Sequence, residues 1–244
     1  MSFRMLKRII ILVLIGLTVY ASLNYSSDIY IGYMKFYYKH VKRKSLNDMI
    51  SDARRMYKNK KYVKLNKHIE TLIIVHPENR QLKKIAGFNY IKLGQEERGV
   101  NLLLSSFAGE KIPGNILHNI IRILFKKKDY MHVVEVLDDN NHGNDLDMMH
   151  MYGISLYKTG EYKKALGKLI KVAGKMEKDY KLFYYIGRSF ENLNDLKNAA
   201  RYLDHARKLN YLDADVNQSL VRVYRKRGKL EMAEMILRAQ KNIR

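Results

Sequence analysis

The chain has 244 residues and no cysteine, which excludes disulfides, thiolate metal sites and cysteine nucleophiles. Its 46 Lys and Arg outnumber 24 Asp and Glu, giving a formal charge of +22. Such a field speeds encounter with an acidic partner or an anionic surface, although a solvated lysine-rich exterior gives the same total.

Arg4, Lys7 and Arg8 precede an uncharged stretch from Ile9 to Ser27, close to the ~20 residues that span a bilayer. Positive charge ahead of the span holds that end in the cytoplasm. Residues 1–27 are therefore expected to form a signal anchor or transmembrane helix. The abundance of Lys, Ile, Asn and Tyr fits an AT-rich bacterial genome, so the expected location is the bacterial inner membrane, with the remaining chain in the periplasm. Val19-Tyr20-Ala21 also suits signal-peptide cleavage, and an inverted anchor with a cytoplasmic domain is the third option. In residues 28–45, Ile29, Tyr33, Phe36 and Tyr37 recur at helical spacing, with Lys35, Lys39 and Lys42 on another face. This amphipathic aromatic-basic juxtamembrane segment would either lie among lipid headgroups or cover the open end of the helices that follow.

From residue 46 onward the chain repeats itself. Tyr152-Gly153, Gly160-Glu161-Tyr162 and Ala165 recur 34 residues later as Ile186-Gly187, Asn194-Asp195-Leu196 and Ala199. They recur again as Leu220-Val221, Gly228-Lys229-Leu230 and Ala233. Backwards, Gly87, Tyr90, Gly94 and Pro113 mark one unit, and Ala53, Tyr62 and Pro77 another. A degenerate unit between these two and the clean repeats carries Ile121 where a small residue is expected. Small residues at two fixed positions let paired helices approach closely, and Gly or Asn at the turn tolerates the left-handed backbone that ends the first helix.

This period and its small/large pattern resemble the tetratricopeptide repeat (TPR) family. The resemblance implies an all-α, right-handed helical-repeat solenoid of about six helix pairs: 46–79, 80–113, 114–145, 146–179, 180–213 and 214–244. Met149 and Phe183 stand where the family often has tryptophan. It also implies a concave face lined by the first helix of each pair. On the matching positions of this sequence, that face holds Arg54, Tyr57, Phe88, Arg122, Phe125, Tyr157, Tyr184, Arg188 and Arg222. Arginine forks suit carboxylates and aromatic faces supply buried area. The expected partners are proteins with acidic or acidic and aromatic segments; the alternative is that the same tyrosines simply pack. No nucleic-acid partner is expected.

The last helix carries an expected core stripe of Leu230, Ala233 and Leu237, and a second apolar stripe of Met232, Ile236, Ala239 and Ile243. The second stripe is expected to be an interface, with self-association as one use. Nothing in the sequence looks catalytic: there is no HExxH, Walker A or Rossmann glycine pattern, and no cofactor or metal is implied. His118 and His150 fall at one groove position of adjacent repeats, where polar lining is favoured over a metal site. The expected role is a non-enzymatic, membrane-anchored scaffold or adaptor that assembles a cell-envelope complex. Bacterial proteins of this plan include outer-membrane, cytochrome and pilus assembly factors and the periplasmic collar of spirochete flagellar motors. A basic module binding anionic headgroups or cell-wall polymer is the alternative.

Overall fold

The computed structural model describes residue 13, residues 27–140 and residues 145–241. The expected anchor at 1–27 falls almost wholly outside these, and no helix among the described residues is long and apolar enough to cross a membrane. The described residues form thirteen α-helices. The chain divides into two compact units, Met1–Glu110 and Lys111–Arg244.

The first unit holds α1 (Ser27–Phe36), which runs into a π-helical turn at Tyr37–Val41, then α2 (Leu46–Lys58), α3 (Tyr62–Val75), α4 (Arg80–Lys92) and α5 (Glu96–Ser106). Tyr38 packs on the apolar cluster of Met49, Ile50, Leu72 and Leu82, so the aromatic segment covers the start of the first helix pair. The second unit holds α6 (Gly114–Lys126), α7 (Tyr130–Asp139), α8 (Leu146–Lys158) and α9 (Tyr162–Ala173). It continues with α10 (Tyr180–Asn192), α11 (Leu196–Leu209), α12 (Ala214–Lys226) and α13 (Leu230–Lys241).

Local chemistry sets where each pair begins. Ser45, Asn79, Asp145, Asp179 and Asp213 precede first helices, and their side-chain oxygens accept from the amides of Asp48, Leu82, Met148, Leu182 and Val216. Each such cap contributes about 1 kcal/mol. The turn within a pair needs a left-handed residue. Gly94, Gly160 and Gly228 supply it at φ of +80°, +90° and +71°, and Asn194 at +62°. Lys60 and Lys128 adopt the same conformation, which is strained for a residue with a Cβ.

Side-chain size at the crossing decides how closely the helices of a pair approach. A Cβ on Gly153 would stand 2.5 Å from Leu169 Cδ2, and one on Gly187 would stand 2.7 Å from Leu203 Cγ. Gly87 and Gly99 face each other, and a Cβ on Gly99 would lie 2.6 Å from the Gly87 carbonyl oxygen. In α6 and α7 the corresponding residues are Ile121 and Val133, both fully buried, so this crossing must accommodate two branched side chains where other pairs have a glycine or alanine.

Successive pairs are tied by buried tyrosines whose hydroxyls donate to acids on the preceding second helix: Tyr90 to Glu70, Tyr152 to Asp138, and Tyr224 to Asp204. Burial, reinforced by these carboxylates, raises all three phenol pKa values, with Tyr90 pushed up to about 12.

The last helix departs from expectation. Ala233 and Ile236 are buried and Leu237 packs on the same core, whereas Leu230 is 60% exposed and Met235 69%. Ile236 is therefore a core residue and not part of a second apolar face. At 100° per residue it lies only about 60° around the helix from Ala233. Met232 is 41% exposed, Ala239 is half-buried, and Ile243 lies outside the described residues.

Candidate binding surface

Within each unit the first helices of successive pairs lie side by side: α2 with α4, and α6, α8, α10 and α12 in series. Their shared face carries the residues expected to bind, and each unit is described on its own.

In the first unit, Arg54 on α2 is exposed and its Nη2 donates to Gln81 Oε1 on α4 at 3.0 Å. Tyr57 sits 5.5 Å from Tyr62 and 6.3 Å from Phe88, ring centre to ring centre. Burial, then the Tyr62 phenol, raises the Tyr57 pKa.

In the second unit the aromatic residues form a run. Phe125 lies edge-on to Tyr130 at 5.7 Å, and Tyr157 sits 5.6 Å from Tyr162 and 5.2 Å from Tyr185. Tyr184 stacks edge-on to Tyr185 at 5.2 Å. The Tyr185 phenol is pushed up to about 12, chiefly by burial and next by its neighbour Tyr130. Lys158 Nζ lies 5.5 Å from the centre of the Tyr185 ring. A pattern emerges that sequence reasoning missed: Tyr57/Tyr62, Phe125/Tyr130 and Tyr157/Tyr162 are the same aromatic pair, five residues apart, clasping the turn of three helix pairs. The recurrence of both rings at that spacing was the available signal.

The four arginines do not behave alike. Arg122 is exposed and makes no hydrogen bond or ion pair among the described residues. Arg188 and Arg222 are engaged inside the protein by Glu191, whose side chain is 5% exposed. Arg222 holds it in a two-pronged grip, Nε to Oε1 at 2.6 Å and Nη2 to Oε2 at 3.0 Å. Arg188 Nη1 stands 3.5 Å from Oε2, and Lys226 Nζ 3.6 Å from Oε1. Arg188 also donates to the Tyr157 hydroxyl at 3.2 Å and, with Arg222, to Ser219 Oγ. This network joins α8, α10 and α12. Glu191 and Ser219 are its hub, and neither stood out in the sequence.

Of the two groove histidines, His118 has a hydrogen-bond partner, whereas the buried His150 Nε2 makes no hydrogen bond among the described residues. His118 Nδ1 lies 2.9 Å from Asp145, the acid that caps the next pair's first helix. His150 Nε2 lies 3.6 Å from Asp179, which caps the pair after that. Burial lowers the His150 pKa despite this neighbour. Among the described residues no group of three or more His, Cys, Asp or Glu is placed to hold a metal ion.

The arrangement defines an all-α helix-pair repeat protein. No protein-family model matches the sequence, and no curated protein matches it. Solved structures match in fold. The crystal structure of YrrB, described as a TPR protein with an unusual peptide-binding site, superimposes with a TM-score of 0.54 at 14% identity. That match covers 80% of this chain and 98% of YrrB. PilW, a widely conserved type IV pilus biogenesis factor, has a TM-score of 0.48 at 16% identity, covering 81% of this chain and 93% of its own. MamA of AMB-1 has a TM-score of 0.40 at 17% identity, over 80% and 87%. The likeness to YrrB shows the fold: this chain has TPR architecture.

Proposed function

We propose that the chain is a non-enzymatic adaptor that holds an acidic, apolar-rich segment of a protein partner on the inner face of its second unit. One observation carries the reading. Phe125 with Tyr130, and Tyr157 with Tyr162 and Tyr185, form two half-buried aromatic clusters on successive helix pairs, with Arg122, unpaired among the described residues, on the same helix as Phe125 and Lys158 over the Tyr185 ring. Aromatic faces give contact area at low entropic cost, and rim cations select for carboxylates and against cationic partners. Membrane attachment belongs to the same reading: an anchor at residues 1–27 would hold the repeats beside the inner membrane on its periplasmic side, as part of a cell-envelope assembly.

The test uses the full chain in mild detergent and two labelled peptides, one interleaving Glu with Phe and Leu, the other carrying Gln for every Glu. The acidic peptide binds, the Gln peptide binds at least about tenfold more weakly, and Arg122→Glu or Tyr157→Ala reduces acidic binding by a similar factor. Equal binding of both peptides, or indifference to Arg122→Glu, refutes the groove. Protease applied to intact spheroplasts should cleave the repeats; protection would refute the periplasmic orientation.

A further inference from the structure

The last helix pair of the second unit presents an exposed apolar surface among the described residues. Exposed large apolar side chains concentrate here: six of the fourteen among the described residues fall between Leu209 and Met235. Tyr211 and Leu212 are each 58% exposed, and Leu230 is 60% exposed. Beside them is an open cleft of about 500 Å³ lined by Tyr211, Leu212, Asn217, Leu237, Gln240 and Lys241.

The repeat itself says what shape fits there. One period earlier, the residues matching Leu237, Gln240 and Lys241 are Leu203, Ala206 and Arg207. Leu203 and Ala206 are fully buried, and Arg207 Nε donates to Asn217 Oδ1 on α12 at 2.9 Å. Leu196, the match of Leu230, packs on the core shared with the last pair. In the interior of the unit this site is therefore filled by a helix, and among the described residues the matching cleft on the last pair is open.

The charges on α13 choose the occupant. Glu231 and Glu234 lie in its first half, and Arg238 and Lys241 in its last turn. A second α13 running antiparallel sets each acidic half against a basic half, while a parallel one sets like against like. Opposite charges at such distances attract and like charges repel. We infer that this face binds a second copy of the chain through an antiparallel α13–α13 contact that buries Leu212, Leu230 and Leu237 of each copy. The contact is two-fold symmetric, so it closes at a dimer. It is independent of the proposed inner groove.

The experiment is light scattering on the full chain in mild detergent, with the detergent contribution subtracted. Wild type should show twice the 28.8 kDa chain mass, and Leu212→Glu combined with Leu230→Glu should halve it. Met235→Glu, about 140° around α13 from Leu230 at 100° per residue, should leave it doubled. The chain contains no cysteine, so orientation is read separately by oxidative cross-linking. Leu230→Cys mixed with Lys241→Cys should yield a covalent dimer, and neither variant alone should. A monomeric wild type, a dimer that survives the double glutamate substitution, or self-linking of Leu230→Cys would each overturn the inference. Loss of dimer in the double variant counts only with its helical circular dichroism and melting temperature retained; if it unfolds, the exposed cysteine pair decides.

Discussion

Removing Glu191 tests both the energetics and the availability of the inner-face arginines. In Glu191→Ala, Arg188, Arg222 and Lys226 lose their shared carboxylate while remaining close to one another on α10 and α12. Breaking a fully buried pair costs about 3–5 kcal/mol. Here the carboxylate is 5% exposed, but the Arg222 and Lys226 side chains are 39% and 52% exposed, so water screens part of the resulting repulsion. A cost of about 2–3 kcal/mol is expected. For a chain of this size that corresponds to a melting temperature lower by roughly 4–12 °C. Glu191→Gln keeps the shape and some of the hydrogen bonds, and should fall between wild type and Ala. The same change frees two guanidinium groups beside Tyr157 and Ser219, so the acidic peptide should bind about tenfold more tightly, equivalent to about 1.4 kcal/mol. Thermal unfolding followed by circular dichroism and fluorescence anisotropy read the two effects. A melting temperature within a degree of wild type would refute the network. Unchanged peptide affinity in a folded variant would show that Arg188 and Arg222 lie outside the binding site.

Three further outcomes follow from the packing. Gly153→Ala trades a gain of about 1 kcal/mol in helix propensity against overpacking of about 1–3 kcal/mol on Leu169. It should therefore be neutral to destabilising in wild type and stabilising in a Leu169→Ala background; denaturant unfolding giving the same gain in both would refute the contact. Lys128→Gly relieves a left-handed residue at φ +61° and should stabilise by roughly 1 kcal/mol, measured the same way. Tyr90 has a folded pKa of about 12 against an ordinary 10.0. The native state therefore holds its proton more tightly than the unfolded chain, and stability should fall as pH rises from 10 to 12. Tyr90→Phe, which has no proton to lose, should make that decline shallower in pH-dependent melting, the similarly raised Tyr152, Tyr185 and Tyr224 keeping the remainder.

Much of the fold was legible because its signals are local or periodic. Gly160 and Gly228 mark left-handed turns by their conformational freedom, and Gly153 and Gly187 mark close crossings by lacking a Cβ. The aspartates at 145, 179 and 213 are an equally local signal, each capping a helix within three residues of itself, but only the structure brought them out. The inner face was legible only as a set of positions. That Arg188 and Arg222 are bound, while Arg122 has no partner among the described residues, depends on Glu191, which pairs with Arg222 from 31 residues away.

The same division applies to the last helix. A wheel of α13 gives two apolar arcs but not which arc meets a neighbour, and Ile236 proved to face the core while Leu230 did not. The sequence by itself determined the repeat, its turns and the exception at Ile121, because backbone conformation and steric size are properties of single residues read at a fixed period. Only the tertiary structure decided which charges are neutralised and which apolar residues remain exposed, because pairing and burial are set by what stands opposite, and that is supplied by other helices.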